Sequence, residues 1–139
     1  MHFSALVALA ALVASPFALA QASDTVYVVY GNGQQFEDPT ASVDTLTCGS
    51  VLAAEGYAQV GDIPGNLAGF ANVTNADSPL CSQCVVLGWQ GRDVTVRIVD
   101  TSSEGGFVVT EGTYEELVGS DTVLPGIYQA RIVEGPYSC

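Results

Sequence analysis

The clearest alternation in the chain runs from Val94 to Val99, where Val94, Val96 and Ile98 are interleaved with Thr95 and Arg97. That period of two marks a strand with one buried face. Just upstream, the apolar run Val85 to Trp89 forms its natural partner across Gln90-Gly91-Arg92-Asp93. Thr25 to Tyr30 is rich in β-branched and aromatic residues and predicts an opening strand, ended by Gly31-Asn32-Gly33. Gln34 to Thr47 reads as a long loop that holds a short strand over Ser42 to Leu46. Val51 to Glu55 reads as a helical turn closed by Gly56, Asp62-Ile63-Pro64-Gly65 as a turn, and Ala68 to Val73 as a strand. Phe107 to Thr110 is short and apolar. The pattern Thr113-x-x-Glu116 resembles a capping box and predicts one short helix over Thr110 to Leu117. Ile127 to Val133 forms the last strand, and Pro136 precedes the final cysteine. Many short strands with abundant glycine and one real helix imply a mainly β domain, either a barrel or a sandwich.

The N-terminal apolar segment does not belong to this pattern. Ala5 to Val13 is followed by Ser15-Pro16 and then Ala18-Leu19-Ala20, a small-residue site of the kind that ends a secretory signal peptide. The run is too short to span a bilayer comfortably. Residues 1–20 are therefore expected to be a leader, cleaved after Ala20 or Ala22. Residues 21–139 suffice for one compact domain and not two.

Composition narrows the chemistry once the leader is set aside. His2 is the only histidine and Met1 the only methionine, so residues 21–139 hold neither the usual proton shuttle near neutral pH nor the commonest metal ligand. Neither a metal nor a cofactor is expected. Arg92, Arg97 and Arg131 are the only strong bases, against fifteen carboxylates. A net charge of −12 repels nucleic acid and anionic lipid, and it suits a neutral partner such as a polysaccharide. Asn72-Val73-Thr74 is an N-glycosylation sequon, meaningful in an exported chain.

Four cysteines remain: Cys48, Cys81, Cys84 and Cys139. An even count in a short exported chain reads as a disulfide framework. A redox Cys-x-x-Cys would need a thioredoxin-like context, and a zinc site would need four thiolates in a reducing compartment. Neither suits this sequence. Four cysteines admit more than one pairing, and spacing leaves the choice open.

One long block carries a family pattern. Gly56-Tyr57, Ile63-Pro64 and Gly69-Phe70 lead into Asp77-Ser78-Pro79-Leu80-Cys81-Ser82-Gln83-Cys84. Val96-Arg97-Ile98-Val99-Asp100 and Gly106-Phe107 follow, then the helix with Leu117 and the terminal cysteine. This order resembles the cerato-platanin family, small secreted proteins of filamentous fungi, from Tyr27 to Cys139. Ser82-Gln83 stand where the family usually has Gly and a small residue, Val108 where it usually has Asn, and Asn75-Ala76-Asp77 where it often has Gly-Trp-Asn. The resemblance implies a six-stranded double-psi β-barrel with short helices, akin to expansins and barwin, and the pairing Cys48–Cys81 and Cys84–Cys139.

It also implies a function. Asp100 ends a strand just before Thr101 to Gly106, and placement alone favours a loop cap for backbone N–H groups. The matching aspartate in expansin-like barrels lines a polysaccharide groove, which makes Asp100 the leading carbohydrate-binding candidate, with Asp77 and Tyr30 beside it. A glycosidase needs two carboxylates across the scissile bond, and spacing singles out none of Asp77, Glu104 and Glu111 as the second. Tyr27, Tyr30 and Tyr137 lie near chain ends or loops and are expected to be more exposed than Trp89, Tyr57, Tyr114, Tyr128 or Phe107.

The expectation is a secreted, monomeric, non-catalytic protein that binds chitin or N-acetylglucosamine oligosaccharides, or related wall glycans. It would loosen their contacts as expansins do and meet host receptors as an elicitor or allergen. A weak endoglycosidase on the same barrel and a host-recognised effector with a vestigial groove are the alternatives.

Overall fold

The computed structural model describes residues 25–31, 34–119 and 128–139; the leader expected from the sequence lies outside them. Six strands close a barrel: β1 (Thr25–Tyr30), β2 (Asn66–Phe70), β3 (Gln83–Trp89), β4 (Arg92–Thr101), β5 (Phe107–Val109) and β6 (Tyr128–Ser138). Their order around the barrel is β1-β5-β2-β4-β3-β6, with β6 returning to β1. Two neighbouring pairs, β1 with β5 and β2 with β4, are parallel, and the rest are antiparallel. Parallel neighbours need long crossovers, and this strand order fits the double-psi arrangement. Between the sandwich and the barrel left open by periodicity, the chain forms the barrel.

Local chemistry explains most of the elements. The β3–β4 hairpin turns on Gln90 and Gly91, both at positive φ (45° and 80°), the geometry that matches the twist of a two-residue hairpin. The first helix, α1 (Gly49–Ala54), stops at Glu55, and Gly56 at φ 100° turns the chain away. The second helix, α2 (Glu111–Val118), begins one turn earlier than the Thr113-x-x-Glu116 pattern suggests. Its N-cap is Thr110, whose Oγ1 accepts the N–H of Thr113, while Thr113 itself is buried. The strand expected over Ser42 to Leu46 is instead a 3₁₀ turn at Val43–Thr45, and Ser42 makes only an isolated bridge to Gln59. The Ser42 hydroxyl accepts the N–H of Asp44, so this segment satisfies its own backbone locally. The last strand runs on through Pro136 to Ser138, and its expected first residue, Ile127, lies outside the described residues.

Val28, Ala68, Val85, Val96, Ile98, Phe107, Val109 and Ala130 fill the barrel, each almost wholly buried. Phe70 and Phe107 stack with centroids 4.1 Å apart, and α2 packs over the barrel with Tyr114 against Tyr30 at 5.0 Å. Disulfides join Cys48 to Cys81 and Cys84 to Cys139.

The departure Ser82 has a structural consequence. It sits at φ 62°, a conformation that costs an L residue roughly 1–2 kcal/mol and that glycine adopts freely. Its hydroxyl donates to Glu55 Oε2 at 2.6 Å and accepts from Arg97 Nη1 at 3.4 Å. Arg97 in turn lies 3.6 Å from Glu55 and over the ring of Tyr57. Ser82→Ala removes the hydroxyl and keeps the strain, whereas Ser82→Gly removes both. Chemical denaturation is expected to find the glycine variant more stable than the alanine variant by about 1 kcal/mol, despite glycine's looser unfolded chain.

Candidate functional site

Asp100 reaches the outer surface of the barrel through a break in the strand's alternation. Val94, Val96 and Ile98 point inward, so an uninterrupted β4 would send the next even position, Asp100, inward too. The register against β2 prevents this: Ala68 pairs with Ile98, but Gly69 pairs with Asp100. Val99 is the extra residue of a bulge, and bulges re-aim the side chains beyond them. Ile98 and Val99 are consequently both fully buried, and Asp100 emerges half-buried on the outside.

There it is held by three donors. Its Oδ1 accepts the Thr47 N–H at 2.9 Å, the Thr47 hydroxyl at 2.6 Å and the Thr101 N–H at 2.9 Å. Thr47 is itself placed by its neighbour, because the Cys48 N–H donates to the Val99 carbonyl at 3.2 Å and Cys48 is bonded to Cys81. No donor among the described residues is placed on Oδ2. Oδ1 alone thus makes the loop cap that placement favours.

Asp100 lines a shallow groove of about 420 Å³. One wall is Thr101 at the end of β4 with Ser102, Ser103 and Glu104 after it, the other is Gln34, Gln35 and Thr45, and Val108 lies at its base. Two amides, several hydroxyls and two carboxylates over a small apolar floor can hydrogen-bond a polyhydroxylated neutral molecule. Glu104, the second carboxylate, is exposed on the loop, its N–H donated to Ser102 Oγ at 3.1 Å.

The other two candidates stand elsewhere. Asp77 is exposed in the loop between β2 and β3, where its N–H donates to Asn75 Oδ1 at 2.9 Å, and it does not line the groove. Tyr30 is half-buried, with its ring against Tyr114, and does not line the groove either. Asn72 is exposed in the turn after β2, as is Thr74. Sequence reasoning missed Gln34, Gln35, Thr45 and Thr47. They lie in a polar loop with no periodic signal, more than fifty residues from Asp100, and only the bridge to β4 brings them in.

A closed, mixed six-stranded barrel, cross-linked twice and carrying a polar groove at the end of β4, defines a class of small disulfide-bonded barrel proteins. Within that class, the chain belongs to the cerato-platanin family. It is 34% identical over 97 residues to cerato-platanin of Ceratocystis fimbriata f. sp. platani, a match covering 60% of this chain and 68% of the relative. No family model matches the chain. Among solved structures, it is similar to cerato-platanin 3 of M. perniciosa, with TM-score 0.65, 22% identity, and coverage of 76% of this chain and 89% of that one. It is also similar to the solution structure of the fungal elicitor cerato-platanin, with TM-score 0.58, 23% identity, and coverage of 77% and 92%. The two disulfides fit an oxidising, extracellular setting.

Proposed function

We propose that this is a secreted carbohydrate-binding protein whose groove around Asp100 takes chitin-type N-acetylglucosamine oligomers or related neutral wall glycans. It loosens their non-covalent contacts without cleaving them. The observation that carries the reading is the division of labour on Asp100: three protein donors lock Oδ1, while Oδ2 is left for a ligand hydroxyl or amide N–H in a polar groove. A net charge of −12 supports a neutral glycan over an anionic one. The similarity to a protein described as a fungal elicitor supports perception by a host receptor as a further consequence of secretion.

The presence of Glu104 on the same groove favours one rival, a weak endoglycosidase with Asp100 and Glu104 as its carboxylate pair. A single set of measurements separates the two. Asn at position 100 keeps an oxygen for the three donors and removes the charge from the other position. Asp100→Asn is therefore expected to stay folded while binding chitin oligosaccharides roughly tenfold or more weakly, the worth of one hydrogen bond to a charged group. Intact sugars after incubation with the wild-type protein support binding alone. Shortened products that disappear in both Asp100→Asn and Glu104→Gln would establish the enzyme instead.

A further inference from the structure

We propose that the glycan site does not end at the groove but continues along the outer side of β1, where Tyr27 stacks on a further sugar of the same chitin-type oligomer. This rests on the groove being a glycan site. Val28 is fully buried, so alternation along β1 turns Tyr27 and Val29 outward together, with Gly31 just past the strand's end. That row leads into the groove. Val29 pairs with Val108, which lies at the groove's base. A Cβ placed on Gly31 would stand 3.2 Å from Val108 Cγ2 and 3.3 Å from Gln34 Cδ, both belonging to groove residues. From Tyr27 to Gly31 the extended chain spans about 13 Å, longer than one pyranose ring.

The ring is suited to the task. Tyr27 is 46% exposed, whereas every other aromatic side chain among those described is buried or half-buried. Sugars present apolar C–H faces that pack on such rings, and tyrosine combines that face with a polar tip. Here the tip is engaged from the side: Gln129 lies opposite Tyr27 on β6, and its Nε2 donates to the phenol oxygen at 3.5 Å. On the side of β5, Gly106 backs directly onto the Tyr27 carbonyl, where a Cβ would collide with main-chain atoms, so that position sets no side chain beside the ring. A single exposed tyrosine is unremarkable on any protein surface; this one stands on an outward row that leads into the groove.

Chitobiose and chitohexaose titrated into the oxidised protein, with amide shifts followed, test the subsite. The wild-type protein is expected to favour the hexamer roughly tenfold, the worth of one stacked ring. Tyr27→Ala is expected to abolish that preference and leave chitobiose affinity unchanged, Tyr27→Phe to retain the preference, and Asp100→Asn to weaken both sugars. A length preference that survives in Tyr27→Ala overturns the subsite, and the loss in Asp100→Asn then leaves the groove reading standing. The subsite is equally overturned if Tyr27→Ala weakens chitobiose as much as the hexamer, or if Tyr27→Phe behaves like Tyr27→Ala. Wild-type protein that binds neither sugar overturns both the subsite and the groove.

Discussion

Replacing Cys84 and Cys139 together with alanine is expected to lower stability by about 4 kcal/mol, the chain-entropy value for a closed loop of this length. The disulfide spans 55 residues and joins β3 to the far end of β6, the longest strand. Without it, the denatured chain regains the freedom of that whole loop. The native barrel still keeps β6 through its pairing with β1 and with β3. A domain of this size has roughly 5–15 kcal/mol to lose, so the variant should fold with a much lower denaturation midpoint. The groove lies on the other side of β4, so chitin-oligomer binding below that midpoint should be unchanged. Guanidinium titrations of the oxidised protein and the double variant measure the difference. A loss under about 1 kcal/mol would mean that the unfolded chain stays compact around β3 and β6 without the bond.

The second large effect is expected at Gly69, where stability and the groove are coupled. A Cβ there would collide with the Thr101 carbonyl oxygen and stand 2.8 Å from Val108 Cγ1. The first of these is backbone, which cannot rotate away. Gly69→Ala must therefore push β2 off β4 at the residue that pairs with Asp100. Overpacking of this kind costs about 1–3 kcal/mol or more. The displaced β4 end also carries the Thr101 N–H that Asp100 accepts. Sugar affinity is expected to fall along with the melting temperature, in contrast to Asp100→Asn, where affinity falls and the fold holds. Wild-type affinity in a destabilised Gly69→Ala protein would show that the groove tolerates movement at the bulge.

Much of the barrel was legible in the sequence because its strands obey simple local rules. Thr25–Tyr30 is β-branched and aromatic throughout, and the structure gives that strand the same bounds. The hairpin around Gln90-Gly91 combines alternation on one side with turn chemistry in the middle. Where rules compete, the reading slipped: Ser42 to Leu46 has strand-like residues, yet the Ser42 hydroxyl captures a backbone N–H and favours a 3₁₀ turn. Thr110 and Thr113 could each cap a helix, and burial of Thr113 decides between them.

The site was less legible, for a definite reason. Period-two reading carries Asp100 into the barrel interior, and only the slip between Ala68 and Gly69 turns it out. A bulge is a relation between two strands and leaves no mark on either one alone. The same limit hid Thr47, which matters because it neighbours Cys48, whereas the exposure of Tyr27 was legible from its place near the chain end.

Closure of the barrel also bears on how this protein behaves in a crowd. Each of its six strands has a neighbour on both sides over part of its length, and stretches such as β6 beyond Arg131 and β4 before Val96 run on past a partner. Exposed strand edges are the usual template on which one chain recruits another into ribbons and fibrils. Here a full-length template opens only after a seam of the barrel has parted, and the β6 overhang that remains carries Pro136, which has no N–H to offer. Extended main-chain pairing between copies is therefore paced by how often the ring comes undone.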